Sequence, residues 1–340
     1  MGEVGGHPSL GDAGRDNALL VTVETGQAVS RLLFDCGEGC LKEVPFADVR
    51  AIDHLCFSHL HMDHVAGFDS LFRCTYDRTD KPNHIWGPPQ TAEILQHRFR
   101  GFLWNLVEGH QASWHVHDLH PDRIVTWKFE LAEAFAHRHA EGEKTWSGFA
   151  LAGPGYTVEC LLMDHGTPSV AYVVRETPRV NVDPTRLANL RLTPGPWLQR
   201  VRGPRADEGE DVVIGGVAHR VRELQEALLV ETAGDSVAYL TDFLLNEAAA
   251  DRLTEALRGV GAAVCESQYR HEDVELAVRN RHMTATQAAS LAKRAGVGHL
   301  VLFHLSDRYR PEEWRAMLSE AREIFPATSF PEHWAAAVGA

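Results

Sequence analysis

Long apolar runs are missing from this sequence: no stretch of about 18 consecutive apolar residues occurs, so no segment has the pattern of a transmembrane helix. Residues 1–17 lack the basic then apolar order of a signal peptide. Basic residues are also scarce, since 33 Lys and Arg face 47 Asp and Glu and leave a formal net charge of −14. This balance argues against a protein that coats nucleic acid or anionic membranes with its whole surface, although it allows a local basic patch. We expect a cytoplasmic protein with no membrane partner.

Cysteine is scarce as well, with six residues spread along the chain and no Cys-x-x-Cys pair. This distribution excludes a disulfide-stapled scaffold and predicts reduced, mostly buried thiols. Cys36 and Cys40 lie four residues apart, close to the motif described below, so a metal-binding role and ordinary packing both stay open for them.

Apolar residues make up 44% of the 340 residues, which is enough to bury a large core. Short apolar runs typical of strands alternate with segments of helical spacing, which indicates a mixed α/β fold. The strand-like runs are Leu19–Val23, Leu32–Phe34, Leu55–Phe57, Val158–Met163, Val170–Val174, Leu228–Val230, Val237–Leu240 and Leu300–Phe303. The helical segments are Val65–Tyr76, Thr91–Leu106, Glu247–Arg258 and Thr284–Ala295, the last with a capping box at Thr284 and Gln287 and a glycine, Gly296, past its end.

Two stretches differ from this core pattern. Residues 114–155 have poor periodicity, and we expect an irregular lid or interface there. Their histidines are open to two interpretations, metal ligands or surface and dimer residues, because they lack a carboxylate or cysteine at ligand spacing. These histidines are His115, His117, His120, His137 and His139.

The second stretch, residues 178–222, is rich in Pro and Gly and predicts an extended, loop-rich excursion. Eight Arg against five Asp and Glu give it a charge of +3 on an otherwise acidic chain. A basic arm of this kind favours contact with a polyanion.

The strongest chemical signal is the hexad His59-Leu60-His61-Met62-Asp63-His64, which follows a predicted strand. His59 and His61, two residues apart in extended chain, point the same way, while Asp63 and His64 at a helix start can face a second position. This geometry suits two metal ions that share one loop, because clustered His and Asp side chains are typical zinc ligands. The alternative is a polar loop without metal.

Three later residues have the position that a two-metal site needs, because each is a polar residue at the end of a predicted strand: His165, Asp242 and His304. Asp242 can bridge two ions, since a carboxylate has two oxygens. We therefore predict one zinc held by His59, His61 and His165. The predicted ligands of the second zinc are Asp63, His64 and His304, with Asp242 joining the two ions.

Several segments, taken in order, resemble a known family. They are Phe34-Asp35-Cys36-Gly37-Glu38-Gly39, Ser58–His64, Asp164-His165-Gly166-Thr167-Pro168, Tyr239-Leu240-Thr241-Asp242, Cys265-Glu266-Ser267, His282-Met283-Thr284-Ala285 and Phe303-His304-Leu305-Ser306. The sequence is similar to the metallo-β-lactamase superfamily and, through the Asp-Cys-Gly-Glu-Gly and His-Met-Thr-Ala segments, to its RNase Z branch. Leu192-Thr193-Pro194-Gly195-Pro196 resembles the base of the flexible arm with which that branch grips the tRNA body.

This resemblance implies a four-layer αββα fold over residues 1–340, a single domain with the inserted arm at 178–222. It implies a homodimer with two Zn²⁺ ions, with Mn²⁺ or iron as alternative metals, and precursor tRNA as substrate. It also implies a charge-linked catalytic trio of Glu266, His282 and Asp63, in which His282 protonates the leaving ribose oxygen. Two zinc ions lower the pKa of a shared water towards about 7, so metal-bound hydroxide would cleave the tRNA 3′ trailer endonucleolytically. A plain helix N-terminus is the alternative reading for His282.

The departures from the family pattern concern substrate recognition. The chain begins with Gly5-Gly6-His7-Pro8 and has Gly14-Arg15-Asp16-Asn17 where a Pro-x-x-x-Arg-Asn loop is usual, so the first strand is predicted to be short or missing. Cys40-Leu41 replaces a usual Thr-Gln pair, and the segment before His165 is long. Because the metal ligands are intact, hydrolysis is better supported than the choice of tRNA.

Three alternatives follow. The first is a hydrolase of the same branch that acts on small phosphodiesters, cyclic nucleotides or other esters. The second is an iron redox enzyme, which His61 disfavours because di-iron members carry Glu at that position. The third is a binding protein with a structural zinc, which the seven predicted ligands disfavour because a closed site needs four on one ion.

Overall fold

The computed structural model describes residues 9–25, 28–107, 109–146, 148–207 and 209–338, so the Gly5–Pro8 departure lies outside the described residues. The chain forms two compact units. The first comprises the described parts of residues 1–175 and 235–340, and the second comprises residues 176–234 and is called the arm unit below.

The first unit contains an eight-stranded sheet, sheet A, whose strands lie side by side in chain order. They are β1 (Ser9–Leu10), β2 (Ala18–Glu24), β3 (Val29–Phe34), β4 (His54–Cys56), β5 (Asn83–Gly87), β6 (Ser113–Leu119), β7 (Arg123–Glu130) and β8 (His139–Thr145). Strands β3 to β6 are parallel to one another, and the outer strands pair antiparallel. The loop with the His-rich hexad therefore leaves the carboxyl end of a central parallel strand, β4.

The same unit contains a seven-stranded sheet, sheet B, in which the chain follows another order: β19, β18, β17, β16, β11, β10, β9. In chain order these strands are β9 (Phe149–Gly153), β10 (Tyr156–Asp164), β11 (Pro168–Glu176), β16 (Ser236–Leu240), β17 (Ala262–Glu266), β18 (His299–Phe303) and β19 (Thr328–Ser329). Strands β16 to β19 are parallel. Their carboxyl ends consequently meet at one edge of the sheet.

Twelve α-helices complete the described chain: α1 (Phe46–Arg50), α2 (Met62–Val65), α3 (Phe68–Thr75), α4 (Thr91–Phe99), α5 (Pro184–Asn189), α6 (Trp197–Arg202), α7 (Val221–Leu228), α8 (Glu247–Ala256), α9 (Val274–Asn280), α10 (Ala285–Ala295), α11 (Pro311–Ile324) and α12 (Ala335–Val338). Three short 3₁₀ helices lie at Leu131–Glu133, His271–Asp273 and Glu332–Trp334. No helix among the described residues is both long and apolar enough to cross a membrane.

Two apolar cores show how these elements are layered. One core joins alternate residues of sheet A, such as Leu33 and Leu55, to Phe72 of α3 and Leu95 of α4. The other core joins the opposite face of sheet A to sheet B and to helices α8, α10 and α11. Because strand side chains alternate between faces, each sheet can pack on both sides. The predicted four-layer αββα arrangement is confirmed.

Most sequence-based boundaries agree with the structure to within three residues, and the capping box at Thr284 and Gln287 is present. The helix predicted over Thr91–Leu106 ends at Phe99, since Gly101 follows directly after its last turn. In place of the helix predicted over Val65–Tyr76, the chain forms two helices, because α2 ends at Val65 and α3 begins at Phe68. The first strand is present, and its described part comprises two residues, Ser9 and Leu10. All six cysteines are free, and five are buried, as predicted.

The expectation of an irregular lid at residues 114–155 is wrong. Most of this stretch forms β6, β7, β8 and β9, and Trp114 is a buried core residue with 1% exposure. Strand β6 does alternate, with Trp114 and Val116 on one side and His115 and His117 on the other. Strand β8, however, is exposed at every residue and has no large apolar side chain, so it lacks the alternation of a half-buried strand.

The arm unit is also more regular than an extended, loop-rich excursion. It contains α5, α6 and α7, and the strands β12 (Arg179–Val182), β13 (Asp211–Ile214), β14 (Val217–Arg220) and β15 (Leu229–Thr232). Seven buried residues form a small core of its own: Leu187, Val201, Ala206, Ile214, Val221, Leu224 and Leu228. The unit extends beyond the basic stretch, and over residues 176–234 eight Arg face nine Asp and Glu, so its formal charge is −1.

Candidate metal centre

The hexad occupies the turn between β4 and α2, and its side chains diverge as the spacing predicts. His59 and His64 are buried, with exposures of 0% and 2%, while Met62 between them is largely exposed. His61 is the residue that precedes α2, and its extended backbone turns the chain into the helix. The loop thus presents donors on two sides of a short helix N-terminus.

Two groups of ligand-type side chains assemble around this loop. His59, His61 and His165 form the first group, in which one ligand atom from each residue lies within 4.8 Å of the others. The second group satisfies the same criterion and contains Asp63, His64, Asp242 and His304. His165 follows β10, Asp242 follows β16 and His304 follows β18, so the structure brings together all seven predicted ligands.

Asp242 lies between the two groups. Its Oδ2 atom is 3.8 Å from His59 Nε2, 3.7 Å from His165 Nε2 and 3.4 Å from His64 Nε2. Its Oδ1 atom is 3.5 Å from His304 Nε2. One carboxylate therefore faces histidines of both groups, which is the position of a bridging ligand.

The ring nitrogens that face away from the centre are held by the protein. His59 Nδ1–H donates to Ser58 Oγ at 3.1 Å, and His165 Nδ1–H donates to the Arg281 carbonyl at 3.0 Å. His64 Nδ1–H donates to Asp35 Oδ2 at 2.7 Å. Such outer hydrogen bonds fix the tautomer and leave Nε2 as the inward ligand atom.

Asp35 is a functional residue whose role the sequence did not reveal. It is fully buried, and besides His64 it accepts hydrogen bonds from Ser58 N and Ser58 Oγ, both at 2.7 Å, and from Tyr239 O–H at 2.9 Å. The only sequence signal was its place in the Asp-Cys-Gly-Glu-Gly segment, directly after β3. Asp35 ties the hexad loop to both sheets and orients a predicted ligand.

The backbone is unusual at the same places. Asp35, Asp242 and His304 have φ values of 56°, 53° and 50°, in the left-handed region that few non-glycine residues adopt. Each lies one or two residues after a strand end. Such conformations cost of order 1–3 kcal/mol and persist where the surrounding structure determines them. Here they accompany the turn of Asp242 and His304 into the centre and of Asp35 towards His64.

The residues fit metal ions. The Nε2 atoms of His59 and His64 are buried and have no hydrogen-bond partner among the described residues. Burial lowers the pKa of His59 to about 2, which keeps its imidazole neutral and able to coordinate. Imidazole and carboxylate donors suit zinc and related ions. When bound, metal ions supply positive charge and lower the pKa of a coordinated water.

Cys36 and Cys40 do not join either group. Cys40 Sγ donates to the Asp16 carbonyl at 3.4 Å, and burial raises the pKa of its thiol to about 12. Because a thiolate is the form that binds metal, ordinary packing explains these residues.

None of the histidines of residues 114–155 belongs to the centre. His117 stacks on Trp86 with ring centroids 3.7 Å apart, and its Nε2 lies 3.0 Å from His84 Nδ1. His115 pairs with Glu141. His139 is exposed and lies close to the partly buried Glu130 and Glu133.

His282 and Glu266 lie at the edge of the centre. His282 Nδ1–H donates to Glu266 Oε2 at 2.8 Å and lies 3.9 Å from Asp242 Oδ2. Burial opposes charge on His282, yet the Glu266 carboxylate outweighs it and raises the pKa to about 9. The protonated imidazole carries a hydrogen on Nε2 that forms no hydrogen bond to the described residues, and an imidazolium of this kind is able to donate a proton.

Only one pair of the predicted trio, Glu266 and His282, is in direct contact. Glu266 is anchored by the backbone N–H groups of Phe243 and Met283 and contacts His282. Asp63 instead contacts His64 Nε2 at 3.2 Å and His304 Nε2 at 3.4 Å. Asp242 and Glu266 form a further group with His282 and His304, in which ligand atoms lie within 4.8 Å of one another, so these two carboxylates connect His282 to the centre.

A four-layer αββα fold with two adjoining ligand groups at its strand ends defines a metal-binding protein of the metallo-β-lactamase superfamily. Residues 30–159 match the family model described as beta-lactamase superfamily domain. The metallo-beta-lactamase fold protein YhfI from Bacillus subtilis is similar in structure, with a TM-score of 0.55, 15% identity and coverage of 94% of this chain and 93% of that one.

Curated relatives narrow the class. Ribonuclease Z of Deinococcus radiodurans is 48% identical over 325 residues, which cover 96% of this chain and 97% of that protein. Ribonuclease Z of Gloeothece citriformis is 28% identical over 92% of this chain and 87% of its own length. The chain belongs to the ribonuclease Z family and is a metal-dependent hydrolase.

Proposed function

We propose that the protein is a dinuclear zinc phosphodiesterase that cleaves precursor tRNA endonucleolytically at its 3′ trailer. The observation that carries this proposal is the position of Asp242 between two ligand groups, with the His282–Glu266 pair at their edge. Phosphodiester hydrolysis needs a nucleophile, charge neutralisation at phosphoryl oxygens and a proton for the leaving oxygen. The likeness to ribonuclease Z over nearly the whole chain supports RNA as the substrate.

In this proposal His59, His61 and His165 hold one ion, and Asp63, His64 and His304 hold the other, with Asp242 as the bridge. Nitrogen donors in both groups favour zinc, and Mn²⁺ or iron are the alternatives that metal analysis would reveal. Metal ions bound at the paired sites would supply positive charge that neutralises the scissile phosphate. They would also lower the pKa of the water that attacks phosphorus.

The chain's own groups then complete the reaction. As the bond between phosphorus and the ribose 3′ oxygen breaks, that oxygen needs a proton. His282 donates it from Nε2, because Glu266 already binds Nδ1–H and stabilises the imidazolium. Glu266 is held in turn by two backbone N–H groups, so the pair keeps its orientation. The products carry a 3′ hydroxyl and a 5′ phosphate.

The predicted arm at residues 178–222 is proposed to contact the tRNA body. A groove of about 310 Å³ in the arm unit is lined by Arg202, Arg205 and Arg222 together with Gln225 and Glu226. The net charge of the arm unit does not support contact with the tRNA, because the unit as a whole is not basic. The support comes from the guanidinium groups that lie together in this groove.

A homodimer is supported by an apolar surface on the first unit. Phe102, Leu103 and Leu106 are 46%, 95% and 82% exposed. Beside them, Phe72, Tyr76 and Trp104 line a cavity of about 470 Å³. Phe102 also lines this cavity. Exposed apolar side chains of this kind mark interaction sites, and a second copy of the chain is the proposed partner. The six free cysteines support a reducing compartment, the cytoplasm.

The test is incubation of a 3′-extended tRNA transcript with purified zinc-loaded protein, followed by mapping of the product ends. A single cut at the trailer junction with a 3′ hydroxyl on the tRNA supports the proposal. His61→Ala protein prepared in parallel controls for contaminating nucleases. Turnover of bis(p-nitrophenyl) phosphate or a cyclic nucleotide without any cut in the transcript would instead favour the small-phosphodiester hydrolase.

A further inference from the structure

Arg281 is a charged residue at the edge of the centre to which neither the sequence nor the reaction assigns a role. It directly precedes His282 and caps the C-terminus of α9 with a φ of 59°. Glycine is the residue that adopts this left-handed cap at least cost. An arginine here therefore calls for a reason beyond the backbone.

The backbone of Arg281 already has one task, which any residue could perform. Its carbonyl accepts the hydrogen bond from His165 Nδ1–H at 3.0 Å, and the His165 and His282 rings lie 4.8 Å apart. The segment thus joins a proposed metal ligand to the proposed proton donor. This explains the conformation at position 281 but not the guanidinium.

The side chain extends across the loop that carries His165. A Cβ atom added to Gly166 would lie 3.4 Å from both Cδ and Nε of Arg281, so the arginine passes directly beside this glycine. Its guanidinium meets the carboxylate of Asp164. The guanidinium therefore lies on the rim of the centre, next to His165 and His282.

The ion pair with Asp164 is a weak reason to keep an arginine here. The side chains of Arg281 and Asp164 are 40% and 63% exposed, and exposed pairs contribute only about 0–1 kcal/mol to stability. Asp164 also has another partner, since its Oδ1 accepts from Gly166 N–H at 2.8 Å. An exposed pair of this kind exchanges readily for a stronger anion, and arginine binds phosphate through two parallel hydrogen bonds.

We propose that Arg281 leaves Asp164 to bind the phosphate next to the scissile one, so that it is a substrate-binding residue for a polynucleotide. This inference rests on the proposed function, because only a chain of phosphates places a second anion at the rim while the first occupies the centre. Asp164 holds the guanidinium in place until the substrate arrives.

Two variants separate substrate binding from a merely structural ion pair. Arg281→Gly removes the guanidinium, suits the left-handed backbone and keeps the carbonyl that orients His165. Asp164→Asn breaks the ion pair but leaves the guanidinium, and its Oδ1 can still accept from Gly166 N–H. If the pair were only structural, both changes would have the same effect. If Arg281 binds phosphate, Arg281→Gly weakens RNA binding whereas Asp164→Asn does not.

The experiment measures KM and kcat for a 3′-extended tRNA with the zinc-loaded full-length protein. Arg281→Gly is expected to raise KM about tenfold with kcat within about threefold. The KM of Arg281→Lys should lie between those of the wild type and Arg281→Gly, since lysine keeps the charge but not the paired hydrogen bonds. Asp164→Asn should leave KM unchanged or lower it. The salt dependence of RNA affinity should lose about 0.7 of its slope in Arg281→Gly.

The same RNA is also tested as an inhibitor of bis(p-nitrophenyl) phosphate hydrolysis, which reports RNA affinity whether or not the RNA is cut. Absence of cleavage by the wild-type protein would refute the proposed function, while a higher inhibition constant in Arg281→Gly alone would still support the assignment of Arg281. Equal effects of Arg281→Gly and Asp164→Asn would refute that assignment. An unchanged inhibition constant in Arg281→Gly would also refute that assignment, as would loss of metal from this variant.

Discussion

The metal centre and the arm unit differ in how their polar side chains are held. In the centre, His59, His64 and Asp242 are almost completely buried. Asp35 accepts four hydrogen bonds beneath them, three from the hexad loop and one from Tyr239. In the arm unit, charged pairs such as Arg220–Asp211 are about half exposed. Buried networks lose several kcal/mol when one partner is removed, whereas exposed pairs lose about 0–1 kcal/mol.

This difference fits the two tasks that we propose for these regions. Reacting groups must be held in place before the substrate arrives, because small displacements reduce the rate strongly. A surface that grips a polyanion needs charge in roughly the right place, and it adapts through flexible side chains. The comparison predicts steep effects of mutation in the centre and shallow effects in the arm unit.

The largest effect is expected at the predicted ligands. His61→Ala and Asp63→Ala should each reduce hydrolysis of bis(p-nitrophenyl) phosphate by at least about 1,000-fold, because an ion is lost or misplaced. Turnover and bound metal are measured together. Val213→Ala, at an exposed position of the arm unit, is the matched control. Wild-type turnover in either ligand variant would contradict the dinuclear assignment.

The next effect is expected at Asp35, which touches no substrate. Asp35→Asn keeps the volume but presents an N–H₂ group to donors, so we expect about 10- to 100-fold weaker metal affinity. Thermal unfolding should also begin at a lower temperature. Tyr239→Phe removes only one of the four hydrogen bonds and should have a smaller effect. Equal metal affinity in Asp35→Asn and wild type would show that the loop is held by other contacts.

A selective effect is expected at His282. The His282→Ala protein should keep its metal but cleave RNA about 100-fold more slowly. Its rate of bis(p-nitrophenyl) phosphate hydrolysis should fall less, because the p-nitrophenolate leaving group needs no proton. The acid form exists below the raised pKa of about 9, so the wild-type rate on RNA should fall as pH rises through that value.

Glu266→Gln provides the control for this role. Removal of the carboxylate that raises the pKa of His282 should move the alkaline decline to lower pH while the imidazole stays in place. An identical pH–rate profile in wild type and in both variants would remove His282 as the proton donor.

The smallest effects are expected in the arm unit. Arg202→Ala and Arg205→Ala should each weaken RNA affinity only two- to fivefold, and each should lower the slope of log affinity against log salt by about 0.7 to 1. Anisotropy titrations at several salt concentrations measure both quantities, with Val213→Ala as the control. An affinity that does not depend on salt would argue against contact between this groove and RNA.

The sequence was most informative where a short apolar run ends in one polar residue. His165, Asp242 and His304 could be found in this way, because parallel strands bring their carboxyl ends to one edge. The role of Asp35 could not be found, since its partners lie 23, 29 and 204 residues away along the chain. Arg281 gave no signal either, because its contact with Asp164 spans 117 residues.

The two misjudged stretches failed for different physical reasons. Strand β6 around Trp114 is regular, but β8 later in the stretch is exposed at every residue and has no large apolar side chain, so the stretch as a whole lacks a clear strand periodicity. In the arm unit the core contains only a few residues between many Pro and Gly, and Gln225 completes it through hydrogen bonds from its side chain to Val201 O and Pro204 O. Turn composition predicted loops where a small packed unit exists.

The left-handed backbone at Asp35, Asp242 and His304 has a consequence for handling the protein. These corners directly follow strands whose side chains pack in the apolar core, so we expect the cradle to keep its shape when metal is removed, unlike a zinc finger. Chelation should therefore empty the cradle reversibly. Exchange of zinc for cobalt or cadmium, as a spectroscopic probe, should proceed by dialysis, without a cycle of denaturation and refolding.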